Sequence, residues 1–181
     1  YYLATSTFEY FPGVPIYHSR DLVNWRLVGH ALDRPSQLPL AGLKSSKGIY
    51  APTLRCGNGR FTMITTNVEG GGNFIVHATS PGGPWSEPVW IKEVSGIDPS
   101  LFFDDDGKVY FTYQDGGERG GIGQAEIDVA TGKLKTEPRR IWNGTGGIWP
   151  EGPHLYKING WYYLLHAEGG TSYGHVVILA R

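Results

Sequence analysis

Short apolar and aromatic runs follow one another along the whole chain and are punctuated by glycine-rich polar turns. Glycine occurs 27 times, and aromatic residues make up 13% of the 181 residues. No stretch keeps the period of 3.6 residues that an amphipathic helix requires. This pattern favours many short β-strands joined by tight turns, so the sequence predicts an all-β protein.

Three segments of the chain repeat one another. Each has a distinctive corner position with a proline within two residues, then a short apolar stretch, a polar turn that ends in glycine, and an aromatic-rich strand. Leucines at equivalent places are 47 and 54 residues apart. The segments are "YAPTLRCGNGRFTMITT" (50–66), "IDPSLFFDDDGKVYFTYQD" (97–115) and "PEGPHLYKINGWYYLLHAE" (150–168), with Leu54, Leu101 and Leu155 in register. Because glycine supplies positive φ in tight turns, each copy is expected to open with a β-hairpin whose turn is "GNG", "DDDG" or "ING".

Further strands are predicted after each hairpin. Third strands are expected at 14–20, 73–80, 121–128 and 174–181, and fourth strands at 21–29, 83–91 and 131–142. Four strands in roughly 50 residues indicate a propeller blade. A β-sandwich is the alternative, but the in-register corners, glycines and aromatics favour the propeller.

Two of the four copies are expected to be incomplete. The first begins in its second strand, at "YYLATS", so its corner should lie about ten residues upstream of Tyr1 by the spacing of the repeat. The last stops in its third strand, at Arg181. The sequence therefore predicts one partial propeller domain over residues 1–181, with about three and a half blades.

The corners carry the candidate chemistry. They read Ala51, Asp98 and Glu151, and in a propeller such positions gather at one mouth of the central channel. Because a residue before proline favours extended backbone, Asp98 is expected to be extended. Two carboxylates near apolar walls form an acid/base arrangement in which one pKa is raised, and Glu151 beside Trp149 is the better candidate acid. The alternative is structural: Asp98 caps a turn and Glu151 pairs with a Lys or Arg.

Composition excludes several classes of function. The formal net charge is −1 with no basic tract, so nothing indicates nucleic acid. No apolar run approaches the 18 residues typical of a membrane span, and the single Cys56 offers neither an internal disulfide nor a zinc motif. The chain starts without Met and shows no signal peptide, so cytoplasmic and secreted locations both stay open. Nothing in the sequence indicates an oligomeric state.

Two segments contain residue types that are typical of catalytic or cation-binding sites, and they are interpreted separately. "HSRDLVNW" (18–25) contains His, Ser and Asp but is interpreted as a blade turn, since it recurs in degraded form as "TSPGGPW" (79–85). "FFDDDGK" (102–108) resembles a cation loop, but adjacent carboxylates at a hairpin tip favour a solvated turn.

Long matches identify the chain as similar to glycoside hydrolase family 43, five-bladed β-propeller enzymes that act on xylan and arabinan side chains. The matching stretches are "ATSTFEYFPGVPIYHSRDLVNWRLVGHAL", "GIYAP", "GIDPSLFFDDDG", "EGPHLYK" and "YYLLHAEGGTSYGH". The resemblance implies an Asp base, an Asp that tunes the acid, and a Glu acid. It gives Asp98 the tuning role and Glu151 the acid role. The family's base precedes the segment that matches "YYLATS", so this chain is expected to lack it and to be inactive on its own.

The resemblance also implies sugar contacts and an inverting reaction. Phe8 matches an aromatic wall of the pocket, and Tyr50 stands where xylosidase-like members often have Trp. Thr171 matches a contact to a substrate hydroxyl, and His175 is placed near the pocket floor. Core packing is the alternative for each. A glycine-rich segment, "YQDGGERGG" (113–121), replaces a further pocket aromatic and leaves β-xylosidase, α-L-arabinofuranosidase or both activities open.

The sequence thus predicts an inverting exo-glycosidase that hydrolyses xylose- or arabinose-containing oligosaccharides without a cofactor or catalytic metal. The resemblance allows a structural calcium in the channel. A carbohydrate-binding propeller without turnover is the alternative, and an Asp about ten residues before Tyr1 would decide for the enzyme. A WD-type interaction propeller is disfavoured because its Trp-Asp blade ends are absent.

Overall fold

The computed structural model describes residues 1–57 and 59–181; Asn58, in the predicted "GNG" turn, lies outside them. Within this part of the chain all regular elements are β-strands, 14 in number, so the all-β prediction is confirmed. The predicted turn glycines Gly59, Gly107 and Gly160 have φ between +71° and +82°. Asn159 and Gly160 both have positive φ, as a two-residue hairpin turn requires.

The chain divides into two compact units, Tyr1–Trp90 and Ile91–Arg181. Each unit holds two antiparallel sheets. The first unit contains a three-stranded and a four-stranded sheet, whose strands pair in sequence order. They are β1 (Tyr2–Ala4), β2 (Gly13–His18) and β3 (Arg26–Leu32), then β4 (Thr53–Gly57), β5 (Arg60–Asn67), β6 (Gly72–Ala78) and β7 (Val89–Trp90).

The second unit contains a four-stranded and a three-stranded sheet, again with neighbours in sequence order. They are β8 (Ile97–Phe103), β9 (Val109–Gln114), β10 (Ile122–Glu126) and β11 (Arg139–Trp142), then β12 (Glu151–Ile158), β13 (Trp161–Glu168) and β14 (Val176–Ala180). The first strands of these sheets, β8 and β12, lie close together. Sheets of up to four sequential antiparallel strands are the blade pattern that the sequence predicts.

The fourth strands are shorter than predicted. Strand β3 begins at Arg26 because the preceding residues form the turn predicted for 18–25, where the Asp21 carboxylate accepts hydrogen bonds from the backbone of Val23 and Asn24 at 3.0 and 2.8 Å. Pro88 and Pro138 stand directly before β7 and β11. Proline has no N–H for a strand ladder, so each regular strand begins only after its proline, although backbone hydrogen bonds from Ser86 to His77 and from Lys135 to Glu126 lie farther upstream.

Both sheets of the first unit contribute to a buried apolar cluster. Val14 and Ile16 of β2 and Met63 and Phe74 of the next sheet are fully buried in it. Trp85, from the segment before β7, is 3% exposed and belongs to the same cluster. Burial of several large side chains at once stabilises this unit.

The aspartate-rich turn after β8 is more than a solvated turn. Asp104 has a side chain only 6% exposed, and it accepts hydrogen bonds from Lys157 Nζ at 2.8 Å and Tyr162 Oη at 2.6 Å. Lys157 also reaches Asp105 at 3.0 Å. The turn therefore binds the ammonium group of Lys157. Its contacts link the end of β8 to β12 and β13.

We expect Asp104→Asn in the full-length protein to lower the urea midpoint more than Asp105→Asn, whose carboxylate is 84% exposed. The hydrogen bonds from Lys157 and Tyr162 hold the pKa of Asp104 at about 2. A lowered pKa stabilises the fold above the ordinary pKa of the carboxyl, and this contribution is lost as pH falls through about 2. The difference between the variants should therefore be full at pH 7 and shrink towards pH 2. Equal midpoints at pH 7 would contradict this role.

Candidate active site

The two corner carboxylates lie at matching irregularities of neighbouring strands. In β8 the pairing shifts between Ile97 and Ser100, and in β12 it shifts between Glu151 and His154. In each case one strand carries an extra residue, which defines a β-bulge. Bulges commonly redirect a side chain beside an active site, so both corners share one structural device.

The register corrects the predicted equivalence of the corners. Ile97 pairs with Gln114, and Glu151 pairs with Ala167. Counted from Leu101 and Leu155, Asp98 therefore corresponds to Gly152, and Glu151 is one residue earlier in its strand. The expectation that both acids occupy the same blade position is wrong. The two acids lie close together because β8 and β12, the first strands of the two sheets of this unit, supply them from adjacent positions.

The expected extended backbone at Asp98 is also wrong. Its φ is +53°, in the left-handed region that Asp tolerates better than most residues. The bulge requires this turn of the chain, and that requirement outweighs the preference set by Pro99. The carboxylate Oδ2 accepts a hydrogen bond from the backbone N–H of Gly152 at 3.1 Å. This bond orients Asp98 towards the residue directly after Glu151.

The two carboxyl groups of the pair both have raised pKa values. Burial raises the pKa of Asp98 to about 6, and repulsion from Glu151 adds to the shift, while the hydrogen bond from Gly152 opposes it. Burial also raises the pKa of Glu151, and the nearby His175 acts in the opposite direction. Because repulsion is mutual, the pair resists carrying two negative charges. The site therefore favours a carboxyl group that keeps its proton near neutral pH.

His175 and Thr171 lie in the loop between β13 and β14, in the same unit as Asp98 and Glu151. His175 is exposed in this chain, and its Nδ1 lies 2.6 Å from the carbonyl oxygen of Gly170. Because a carbonyl can only accept, Nδ1 carries a proton and donates it. Thr171 is exposed, as a hydroxyl contact for a ligand would require.

Phe8 and Tyr50 lie in the first unit and contact each other. Their ring centroids are 5.8 Å apart at an interplanar angle of 70°. The Phe8 backbone exchanges hydrogen bonds of 2.9 Å with Ile49 in both directions, and the residue is 42% exposed. An exposed ring held by its backbone is suited to stacking on a sugar. The structure thus places the predicted aromatic residues together and the predicted acids together, each set within its own unit.

The glycine-rich segment after β9 contacts the chain just before the acid. The backbone N–H of Trp149 donates to the carbonyl of Arg119 at 2.9 Å. Asp115 anchors the start of this segment through two hydrogen bonds from Arg140, at 2.6 and 2.8 Å. A Cβ on Gly120 would lie 3.1 Å from Trp149 Cα, so a larger residue would press on the acid segment.

Sequence reasoning missed these supports. Asp115 and Arg140 are 25 residues apart, and nothing in the repeat marks them as partners. Trp149 has φ +53°, a costly conformation for a bulky residue that the surroundings must hold in place. No local pattern indicates this strain.

The part of the chain that the structure describes contains no group of three or more His, Cys, Asp or Glu placed to hold a metal ion. The structural calcium therefore stays a prediction, and no chemical step depends on it. None of the described segments forms a helix long and apolar enough to cross a membrane.

Known proteins resemble this chain over its whole length. The profile of glycosyl hydrolases family 43 matches residues 1–181. A "Xylosidase/arabinosidase" from Butyrivibrio fibrisolvens is 54% identical over the whole chain, which covers 37% of that protein. A "Non-reducing end alpha-L-arabinofuranosidase" from Bacteroides ovatus is 49% identical, with 34% of its length covered. The chain thus spans about a third of the length of these relatives.

Solved structures give the same picture. A Bacteroides ovatus structure described as "Xyloglucan PUL GH43B" superposes with a TM-score of 0.91 and is 49% identical; the match covers 98% of this chain and 35% of that one. The structure of a "xylan beta-1,4-xylosidase" from Bacillus halodurans also has a TM-score of 0.91, with 45% identity, 99% of this chain covered and 37% of that one.

Proposed function

Because this chain belongs to glycosyl hydrolases family 43, we propose that the full-length protein is an inverting exo-glycosidase that hydrolyses xylose- or arabinose-containing oligosaccharides. Membership confirms the predicted fold class, a five-bladed β-propeller of which the chain forms a part. The relatives carry both xylosidase and arabinofuranosidase names, which supports a xylose- or arabinose-type substrate.

The observation that carries the proposal is the carboxyl pair at the β8 and β12 bulges. A general acid must hold a proton at the pH at which the enzyme works. Burial raises the pKa of Glu151, and a second carboxylate close by disfavours its ionisation. Asp98, oriented by the Gly152 N–H, supplies this second charge.

The reaction divides between two faces of the sugar. Glu151 donates its proton to the leaving glycosidic oxygen, while a base activates water on the opposite face. An inverting enzyme needs roughly 6.5–9.5 Å between acid and base, which leaves room for that water. In our proposal the base is supplied by another part of the full-length protein. Asp98 stays away from the scissile bond and acts on Glu151 through its charge.

Phe8 and Tyr50 are the proposed stacking surface for the sugar. Their T-shaped contact presents an apolar face, and sugars pack their C–H groups on such faces. Thr171 is proposed to contact a substrate hydroxyl, and His175 to lie beside the acid, where it opposes the rise in the pKa of Glu151.

The test uses the full-length protein with nitrophenyl β-xylopyranoside, nitrophenyl α-L-arabinofuranoside and the matching natural disaccharides. We expect turnover of at least one glycoside, with release of single sugars from the non-reducing end. Proton NMR during the first minutes should show the inverted anomer before mutarotation. Retained configuration would contradict the mechanism. Binding of the disaccharides without any turnover would instead support the carbohydrate-binding alternative.

A further inference from the structure

A further acidic residue of this unit is buried and has no part in the proposed reaction. Glu168, the last residue of β13, is 1% exposed. Its two oxygens accept hydrogen bonds from the Thr145 backbone N–H at 2.9 and 3.0 Å, and Oε2 accepts another from the Thr145 hydroxyl at 2.8 Å. Burial alone would raise the pKa of Glu168, but the Thr145 hydrogen bonds hold it below its ordinary value. Glu168 is thus ionised at neutral pH.

The loop that surrounds this carboxylate leads directly to the proposed acid. A Cβ on Gly144 would lie 3.2 Å from Glu168 Oε1, and one on Gly147 would lie 3.0 Å from Oε2. The loop backbone therefore approaches the carboxylate as closely as glycine allows. The same Cβ on Gly144 would be 2.8 Å from the ring of Pro150. Gly144 thus fills the space between the buried carboxylate and the residue that precedes Glu151.

The loop is also fixed at its far end. The backbone N–H of Gly169, the residue after Glu168, donates to the carbonyl of Ile148 at 2.8 Å. Trp149, which follows Ile148, has the strained φ of +53°. A strained residue keeps its conformation only if the structure around it is firmly held. The contacts of Glu168 and Gly169 supply this hold from the side of β13.

We propose that Glu168 is a positioning residue for Glu151: its buried carboxylate folds the loop 143–148 so that Trp149 and Pro150 present the acid to the substrate. This inference rests on the proposed function in one respect, the acid role of Glu151. The fold of this loop requires a carboxylate. Glu168, which is ionised at neutral pH, can only accept hydrogen bonds, and Thr145 offers two donors. A glutamine in its place would turn an NH2 group towards one of those donors.

One other titratable group faces Glu168. His166 Nε2 lies 3.7 Å from Oε1, and its side chain is fully buried. The test below is therefore carried out at one fixed pH, and the Thr145 variants keep the Glu168 charge that faces His166.

The experiment compares Glu168→Gln with wild type in the full-length protein. The control is Glu137→Gln, the same chemical change at an exposed position of this unit. Each protein is assayed on a natural disaccharide and on the matching dinitrophenyl glycoside, which needs little proton donation. We expect Glu168→Gln to lose at least about tenfold more activity on the natural substrate, because a misplaced acid loses part of the 10²–10⁴-fold that general acid catalysis supplies. Glu137→Gln should match wild type on both.

A second pair of variants changes the donor and not the carboxylate. Thr145→Val removes the hydroxyl that reaches Oε2, while Thr145→Ser keeps it. Thr145→Val should show the same selective loss to a smaller degree, and Thr145→Ser should restore the natural-substrate rate. These variants also provide the answer if Glu168→Gln fails to fold. Equal losses on both substrates would mean a general structural role and would overturn the inference.

A spectroscopic measurement separates this inference from the proposed function. In protein labelled with ¹⁵N-tryptophan, the indole resonance of Trp149, assigned through Trp149→Phe, should shift in Glu168→Gln and Thr145→Val but not in Glu137→Gln. If Glu151→Ala shows no dependence on the leaving group, the acid assignment fails whatever this resonance does. If the Trp149 resonance stays unchanged in both variants, Glu168 does not position the segment and the inference fails on its own.

Discussion

In the full-length protein, Glu151→Ala is expected to slow hydrolysis of natural xylo- or arabino-oligosaccharides by a factor on the order of 10²–10⁴. The alkoxide leaving groups of these substrates depart poorly without a proton. Hydrolysis of a dinitrophenyl glycoside should suffer far less, because its leaving group needs no proton. The measurement is kcat/KM on the two substrates for wild type and variant at the same pH.

The matched control for this comparison is Glu137→Ala, which removes an exposed glutamate from the same unit. It should leave both rates close to wild type. If Glu151→Ala slowed the natural and the activated substrate by the same factor, Glu151 would not be the acid. The segment formed by Trp149 and the two prolines on either side of Glu151, Pro150 and Pro153, would then be only a structural turn.

Asp98→Asn is expected to move the alkaline limb of the pH–rate profile downward by about one pH unit. That limb reports loss of the acid's proton. Asn has no charge to repel a carboxylate, so the pKa of Glu151 should fall and the acid should lose its proton at lower pH. Asn is preferred to Ala because it accepts the Gly152 N–H bond and tolerates the positive φ of this position.

The same variant should stabilise the protein at neutral pH. Burial raises the pKa of Asp98 to about 6. A raised carboxyl pKa means that stability is lost as pH rises from the ordinary value through about 6, where the buried group becomes charged. The urea midpoint of Asp98→Asn should therefore exceed that of wild type at pH 7 and approach it near pH 4. A lower midpoint at pH 7, or an unmoved alkaline limb, would contradict the tuning role.

Both predictions describe a site whose need for a protonated carboxyl group lowers the stability of the fold. The left-handed Asp98 and Trp149, both at φ +53°, and the two partly buried carboxyl groups all cost free energy of folding. Such costs collect where a reaction needs them and are offset elsewhere. Here the offset within the same unit includes the Asp104–Lys157–Tyr162 contacts and the Glu168–Thr145 hydrogen bonds.

The strands and their hairpins could be predicted from the sequence because their causes are local. Turn glycines are required where φ is positive, and Asn159–Gly160 and Gly107 have the expected conformation. The repeat of apolar stretch, turn and aromatic strand gave the order of strands in every sheet. The long motif matches also carried the family, while the roles that they imply for Asp98 and Glu151 stay predictions. The fourth strands were predicted too long, since short polar strands next to proline leave a weak pattern.

The tertiary structure decided how the carboxylates are presented. The sequence placed Asp98 and Glu151 at one repeated position, whereas the bulges show that they come from adjacent positions of neighbouring strands. A bulge depends on the pairing partner across the sheet, so a single strand cannot reveal it. The conformation of Asp98 likewise follows the bulge and not the preference of a residue before proline. Glu168 and Thr145 are 23 residues apart, and no local pattern marks them as hydrogen-bond partners. The residue types needed for the chemistry can thus be read from local sequence. Their orientation and pKa depend on contacts between distant parts of the chain, because burial and hydrogen-bond partners exist only once the sheets have packed.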